Sequence, residues 1–238
     1  SVHIVGGYTP GEGDQLSGLP AYEQILDNEG IFARIALVET EHFLHSLLTV
    51  MEIYHSAFFR PNILFLTVNP ARKNEQELQL LADRAEKNQV GVLLYLDNPL
   101  TALGREEVIN VWIREQSPAW QVGLRLSNLD LTLLLAYQLA RNWHGRINLI
   151  TVIDDPNEEQ NGKEFFRQLI DYGRMPRDTQ AHVIVGGLEE YLPDAPQAVL
   201  YIFGVQEAIN CEFMQQMVDA TGSTCIFVRD SGLESALA

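Results

Sequence analysis

Cysteine is scarce: Cys211 and Cys225 are the only two in 238 residues. They share no CxxC spacing, which excludes a disulfide-stapled scaffold and a cysteine-based zinc site and reads as two small apolar residues in a reducing compartment. Positive charge is scarce too, with 16 Lys and Arg against 32 Asp and Glu and a formal net charge of -16. Such a field repels phosphate backbones and anionic headgroups, so neither a nucleic-acid partner nor direct lipid binding is expected. Long apolar runs are missing. The longest, Leu129 to Ala140, falls short of the ~20 residues that span a bilayer and contains Asp130 and Gln138. No basic, then apolar leader opens the chain, and a start at Ser1 without methionine reads as a soluble domain excised from a longer protein. Catalytic signatures are absent as well. There is no GxSxG elbow, no Walker loop and no dinucleotide fingerprint, so the expectation is no enzyme and no cofactor.

What is present is a folded α/β pattern. Apolar residues make up 46% and charged residues 20%, enough apolar surface to offset chain entropy. Nine short apolar runs recur, at residues 2–5, 35–38, 63–68, 90–96, 108–113, 147–153, 182–185, 199–203 and 225–228. Most are continuous rather than alternating, as strands buried on both faces of a parallel sheet are. Helical patterns lie between them at about 42–58, 75–88, 128–142, 159–173 and 207–220. The spacing predicts two doubly wound, mainly parallel sub-domains, 1–105 and 106–238. Ser127 and Asp130 are placed to cap the third of these helices, and Gly145 to stop it.

Candidate sites are sought in the loops after strands. Gly6, Gly7, Gly11 and Gly13 follow the first run, Gly186 and Gly187 the seventh, and Gly204 the eighth. Their spacing fits no phosphate fingerprint, and close packing accounts for them. Asn161-Gly162-Lys163 imitates the end of a Walker loop, but Glu164 follows. Glu39, Glu41, His42 and His45 give one helical pair of ligands where zinc needs three or four, and acidic residues at a helix start explain the same pattern. His55, His144 and His182 stand apart. The acidic run Asp154, Asp155, Glu158 and Glu159 departs from an EF-hand and reads as a helix-start loop.

Several segments carry a family resemblance: Val111-Trp112-Ile113, Asn128 to Trp143, Arg174-Met175-Pro176, Ile202-Phe203-Gly204 and Phe227 to Gly232, with Phe59 to Leu64 more weakly. They resemble the cytosolic C-terminal domain of cation-chloride cotransporters, prokaryotic members above all. The resemblance implies two fused units similar to universal stress proteins. It also implies a dimerising, regulatory role at the cytoplasmic face of the membrane, beside the chain's own transmembrane domain, which moves chloride with sodium or potassium. Stress-protein kinship raises ATP as a ligand, and a nucleotide-binding sensor is the alternative. The glycine pattern of the ATP-binding members is not found after Val185 or Phe203.

Assembly is expected as a two-fold homodimer. The last run is terminal in sequence, and relatives of stress-protein type commonly dimerise through their last strands. A sheet edge at Cys225, Ile226, Phe227, Val228 and Arg229 would template antiparallel pairing with a second copy.

Overall fold

The structure, a computed structural model, describes residues 2–8, 19–56, 60–69, 74–103, 106–114, 120–122, 129–192, 195–205 and 208–237. Among them lie nine strands: β1 (Val2–Tyr8), β2 (Ala33–Glu39), β3 (Ile63–Thr67), β4 (Gly91–Leu96), β5 (Val108–Trp112), β6 (Arg146–Ile153), β7 (Gln180–Val185), β8 (Leu200–Gly204) and β9 (Thr224–Arg229). The helices are α1 (Leu19–Asn28), α2 (Phe43–His55), α3 (Glu75–Lys87), α4 (Asp130–Trp143), α5 (Glu159–Tyr172), the single turn α6 (Leu188–Tyr191) and α7 (Cys211–Thr221). Each apolar run expected to be a strand is one. The sequence pattern does not predict α1, which begins directly after the glycine-rich stretch running to Gly18.

β5 to β9 form a doubly wound parallel unit in the order β7-β6-β5-β8-β9. The first half divides. β1 and β2 pair in parallel as a separate ribbon, whereas β3 and β4 join the second half in one seven-stranded sheet. The junction is antiparallel: Val92 sits opposite Arg229, Leu94 opposite Phe227 and Leu96 opposite Cys225. The last strand of each half therefore pairs with the other, the Leu94–Phe227 pair standing at the middle of the register.

Helices cover both faces of the middle of the seven-stranded sheet, which is why β4, β8 and β9 are apolar throughout rather than alternately. On one face Leu47, Leu81, Met214 and Met217 of α2, α3 and α7 pack on Leu66, Leu94, Phe203 and Phe227. On the other, Leu133 and Ala136 of α4 and Phe165, Phe166 and Leu169 of α5 pack on Ile109, Val111, Leu149, Ile202 and Val228.

Long-range groups finish the ends of α4. Ser127 lies outside the described residues. The first N–H groups of the helix, those of Asp130 and Leu131, donate to the Asp230 carboxylate at 3.0 and 3.3 Å. Asp130 in turn accepts from the Ala236 N–H at 2.6 Å, which ties the C-terminal segment down. At the other end the left-handed residue is His144, φ 55°, not Gly145. Gly145 is required because a Cβ there would stand 2.6 Å from the Glu107 carbonyl oxygen.

Burial first, and then the Glu234 and Asp130 carboxylates, raise the Asp230 carboxyl from its ordinary 3.8 to about 7, against the pull of the two N–H donors. The folded state therefore holds this proton more tightly than the unfolded chain. Its contribution to stability is full below the ordinary carboxylate range and is lost as pH rises through about 7. Urea midpoints are expected to fall across that window more steeply for the native chain than for Asp230→Asn. Parallel profiles for the two would refute this assignment.

Candidate functional site

The strand order reverses between β5 and β8, and the crevice at their carboxyl ends is where a doubly wound sheet accommodates a ligand. A cavity of about 480 Å³ opens there, walled by Trp112, Phe203, Phe213, Met214 and Phe227. Its rings form a continuous surface: Trp112 lies 6.3 Å from Phe203, which stacks on Phe227 at 5.1 Å. Glu75 and Arg114 are its ionisable residues among those described.

The polar end of this crevice is the start of α7, where exposed N–H groups would meet a phosphate. The chain fills that position itself. Glu75 Oε1 accepts from the Cys211 N–H at 2.7 Å, Gln79 Oε1 from the Ile209 N–H at 2.8 Å, and Asn210 Oδ1 from the Phe213 N–H at 2.9 Å. Two of these acceptors come from α3, in the other half of the chain. A triphosphate would have to displace a carboxylate.

Both thiols are poor nucleophiles. Burial, then the nearby Glu75 charge, raises Cys211, and burial pushes Cys225 up to about 12.

The other candidates fall into structural roles. Gly6 and Gly7 belong to β1, and a Cβ on Gly7 would run into the Phe43 ring of α2, so helix packing demands that glycine. Gly11 and Gly13 lie outside the described residues. Gly162 sits inside α5, where a Cβ would meet Val183 at 3.0 Å and Trp120 at 3.3 Å. Gly186, φ 132°, turns the chain after β7, and Gly187 stands at the start of α6. Glu39 ends β2, while His42 flanks and His45 lies within α2. Among the described residues no three His, Cys, Asp or Glu side chains gather to hold a metal. Asp155 caps the 3-10 turn at Pro156–Glu158, accepting from the Asn157 N–H at 2.9 Å, and Glu159 pairs with Lys163 one turn along α5. His55 ends α2 and His144 ends α4. His182 lies in β7, where burial lowers its pKa.

The edge assigned to Cys225, Ile226, Phe227, Val228 and Arg229 requires correction. β9 lies inside the sheet, paired antiparallel with β4 and parallel with β8, so its backbone has no open edge to offer. Cys225 to Val228 are buried on both faces by this chain's own helices. Arg229 turns to α3, 3.0 Å from Asp83 and 2.7 Å from Glu86. The antiparallel meeting of last strands anticipated between two copies is made within one.

This architecture is that of the universal stress proteins. A universal stress protein from Archaeoglobus fulgidus DSM 4304 superimposes with a TM-score of 0.53 at 12% identity, over 92% of this chain and 77% of its own. A functionally unknown protein from Pseudomonas aeruginosa PAO1 does so with 0.58 at 14%, over 97% and 82%. At these identities the likeness is one of fold alone.

Two family models then divide the sequence between them. Residues 1–103 match the prokaryotic cation-chloride cotransporter C-terminal domain, first part, and residues 104–237 match its second part. The chain belongs to this family of cotransporter C-terminal domains. The crystal structure of the cytoplasmic domain of a prokaryotic cation chloride cotransporter is similar to it with a TM-score of 0.86 at 29% identity, over 98% of this chain and 87% of that one. No curated protein matches it.

Proposed function

We propose that this chain is the cytosolic assembly and regulatory domain of a cation-chloride cotransporter. In this reading two copies associate beneath the transmembrane domains that move chloride with sodium or potassium, and the chain catalyses nothing. The family match across both halves carries the proposal. The division near residue 105 is kept within it, as two units of related plan locked by the β4–β9 seam. No helix among the described residues is long and apolar enough to cross a membrane, so transport is assigned to a separate part of the protein. The crevice supports a non-catalytic role, since its anion position holds Glu75 and no described histidine or cysteine thiol lines it. The nucleotide-sensor alternative has that same carboxylate against it.

Association needs little affinity here. Membrane anchoring raises the effective concentration of one copy around another, so a weak two-fold contact suffices. Sedimentation over a wide concentration range is expected to show a monomer–dimer equilibrium. A monomer at every concentration, together with unaltered assembly of the full-length protein after removal of this domain, would overturn the assembly role.

A further inference from the structure

A second cavity, of about 390 Å³, opens where the first half's ribbon and the main sheet part company. β1 and β3 have no strand pairing with each other, and each is paired only on its far side, to β2 and β4. Val2, His3 and Val5 of β1 and the consecutive residues Ile63 to Leu66 of β3 border the space. Consecutive residues mean that strand edges, not a single face, form its walls. Leu47 and Met51 of α2 roof it.

Two features single it out. Neither ring nitrogen of His3 has a hydrogen-bond partner, although both are buried and the ring lies 4.5 Å from that of Tyr54. A polar group orphaned in an apolar wall is costly unless something else completes it. Charge supplies the second feature. The chain holds 32 carboxylate side chains, yet none is among the described residues lining this cavity, which include His3, His55 and Arg60. No carboxylate among the described lining residues stands in the way of an anion.

From this geometry we infer that the cavity binds a small aliphatic monocarboxylate of fatty-acid type, its tail under α2 and its carboxylate hydrogen-bonded to His3 near Arg60. This goes beyond the transporter assignment and does not depend on it. The cavity lies within the size range of ligand sites, with apolar walls and few polar groups to fix orientation.

Titration of the whole chain with the fluorescent 11-(dansylamino)undecanoate tests the inference, with dodecanoate, 1-dodecanol and dodecylamine as competitors. Saturable binding at one site is expected, displaced best by dodecanoate and least by dodecylamine. His3→Leu should weaken dodecanoate by about tenfold or more, the value of a hydrogen bond to a charged group, while leaving 1-dodecanol little changed. Leu47→Trp and Val50→Trp, either of which fills the cavity, should abolish binding in whichever variant keeps the native circular dichroism. Absence of saturable binding overturns the site. So does binding indifferent to His3→Leu and to a folded filling variant, or a preference for dodecylamine.

Discussion

Phe227→Ala is expected to lower the unfolding free energy by about 3–5 kcal/mol, the usual cost of removing a fully buried aromatic ring whose cavity cannot collapse. Phe227 is 1% exposed, stacks on Phe203 at 5.1 Å and meets Phe213 edge-on at 6.3 Å. It also stands opposite Leu94 at the seam between the halves. The loss should therefore separate two units that otherwise unfold together, giving a second transition in urea. Arg229→Ala in the same strand is the contrast. Its partners Asp83 and Glu86 are about half exposed, so a loss of only about 1 kcal/mol is expected. Equal losses for the two would refute the central position of β9, and Phe227→Pro should fail to fold because it breaks an interior ladder.

Asn110→Ala is expected to cost about 2–4 kcal/mol, out of proportion to the few atoms removed. Asn110 is wholly buried in β5, where its Oδ1 accepts from Asn148 Nδ2 at 2.7 Å and its own Nδ2 donates to the Pro196 carbonyl at 2.7 Å. Truncation leaves the Asn148 amide dry and unpaired, and an unsatisfied buried group costs more than a made hydrogen bond contributes. The double variant Asn110→Leu with Asn148→Leu should recover most of the loss. It removes both amides, while Tyr201 still donates to Pro196 at 3.4 Å. A single variant within about 0.5 kcal/mol of native in a urea melt, the range of ordinary surface changes, would show that the ladder is not load-carrying.

The strands were legible as short apolar runs, and all nine runs fall on strands; the run is unbroken where both faces are buried, as in β4, β8 and β9. Helix α1 was not, since Leu19–Asn28 has no acidic first turn and no basic last turn and follows a glycine-rich stretch. Spatial order was the larger omission. β9 is last in sequence but interior in space, and one signal in its residues pointed that way. From Cys225 to Val228 it carries none of the charge or proline that protects an exposed edge, and the edge strand β7 has Gln180 and His182. The opposite edge strand β3, Ile63–Thr67, is as apolar as β9, so the signal by itself does not decide. The crevice was placed by the rule that loops after strands hold the site. Its occupant was hidden, because Glu75 and Cys211 are 136 residues apart and Glu75 alone looks like any acidic residue opening a helix. Asp230, capping α4 from 100 residues away, escaped notice for the same reason.

The interior position of the last strand also dictates the order in which the molecule can be completed during synthesis. Until Thr224 to Arg229 emerge, β4 and β8 each present a bare, apolar edge, with the gap between them at the middle of the sheet rather than at its rim. Every earlier element can form local structure, yet none can seal that gap, because closure waits on the final contact of highest sequence separation. A nascent or truncated chain ending before Thr224 thus carries two templates for promiscuous strand addition, and its hazard is aggregation rather than simple loss of one strand.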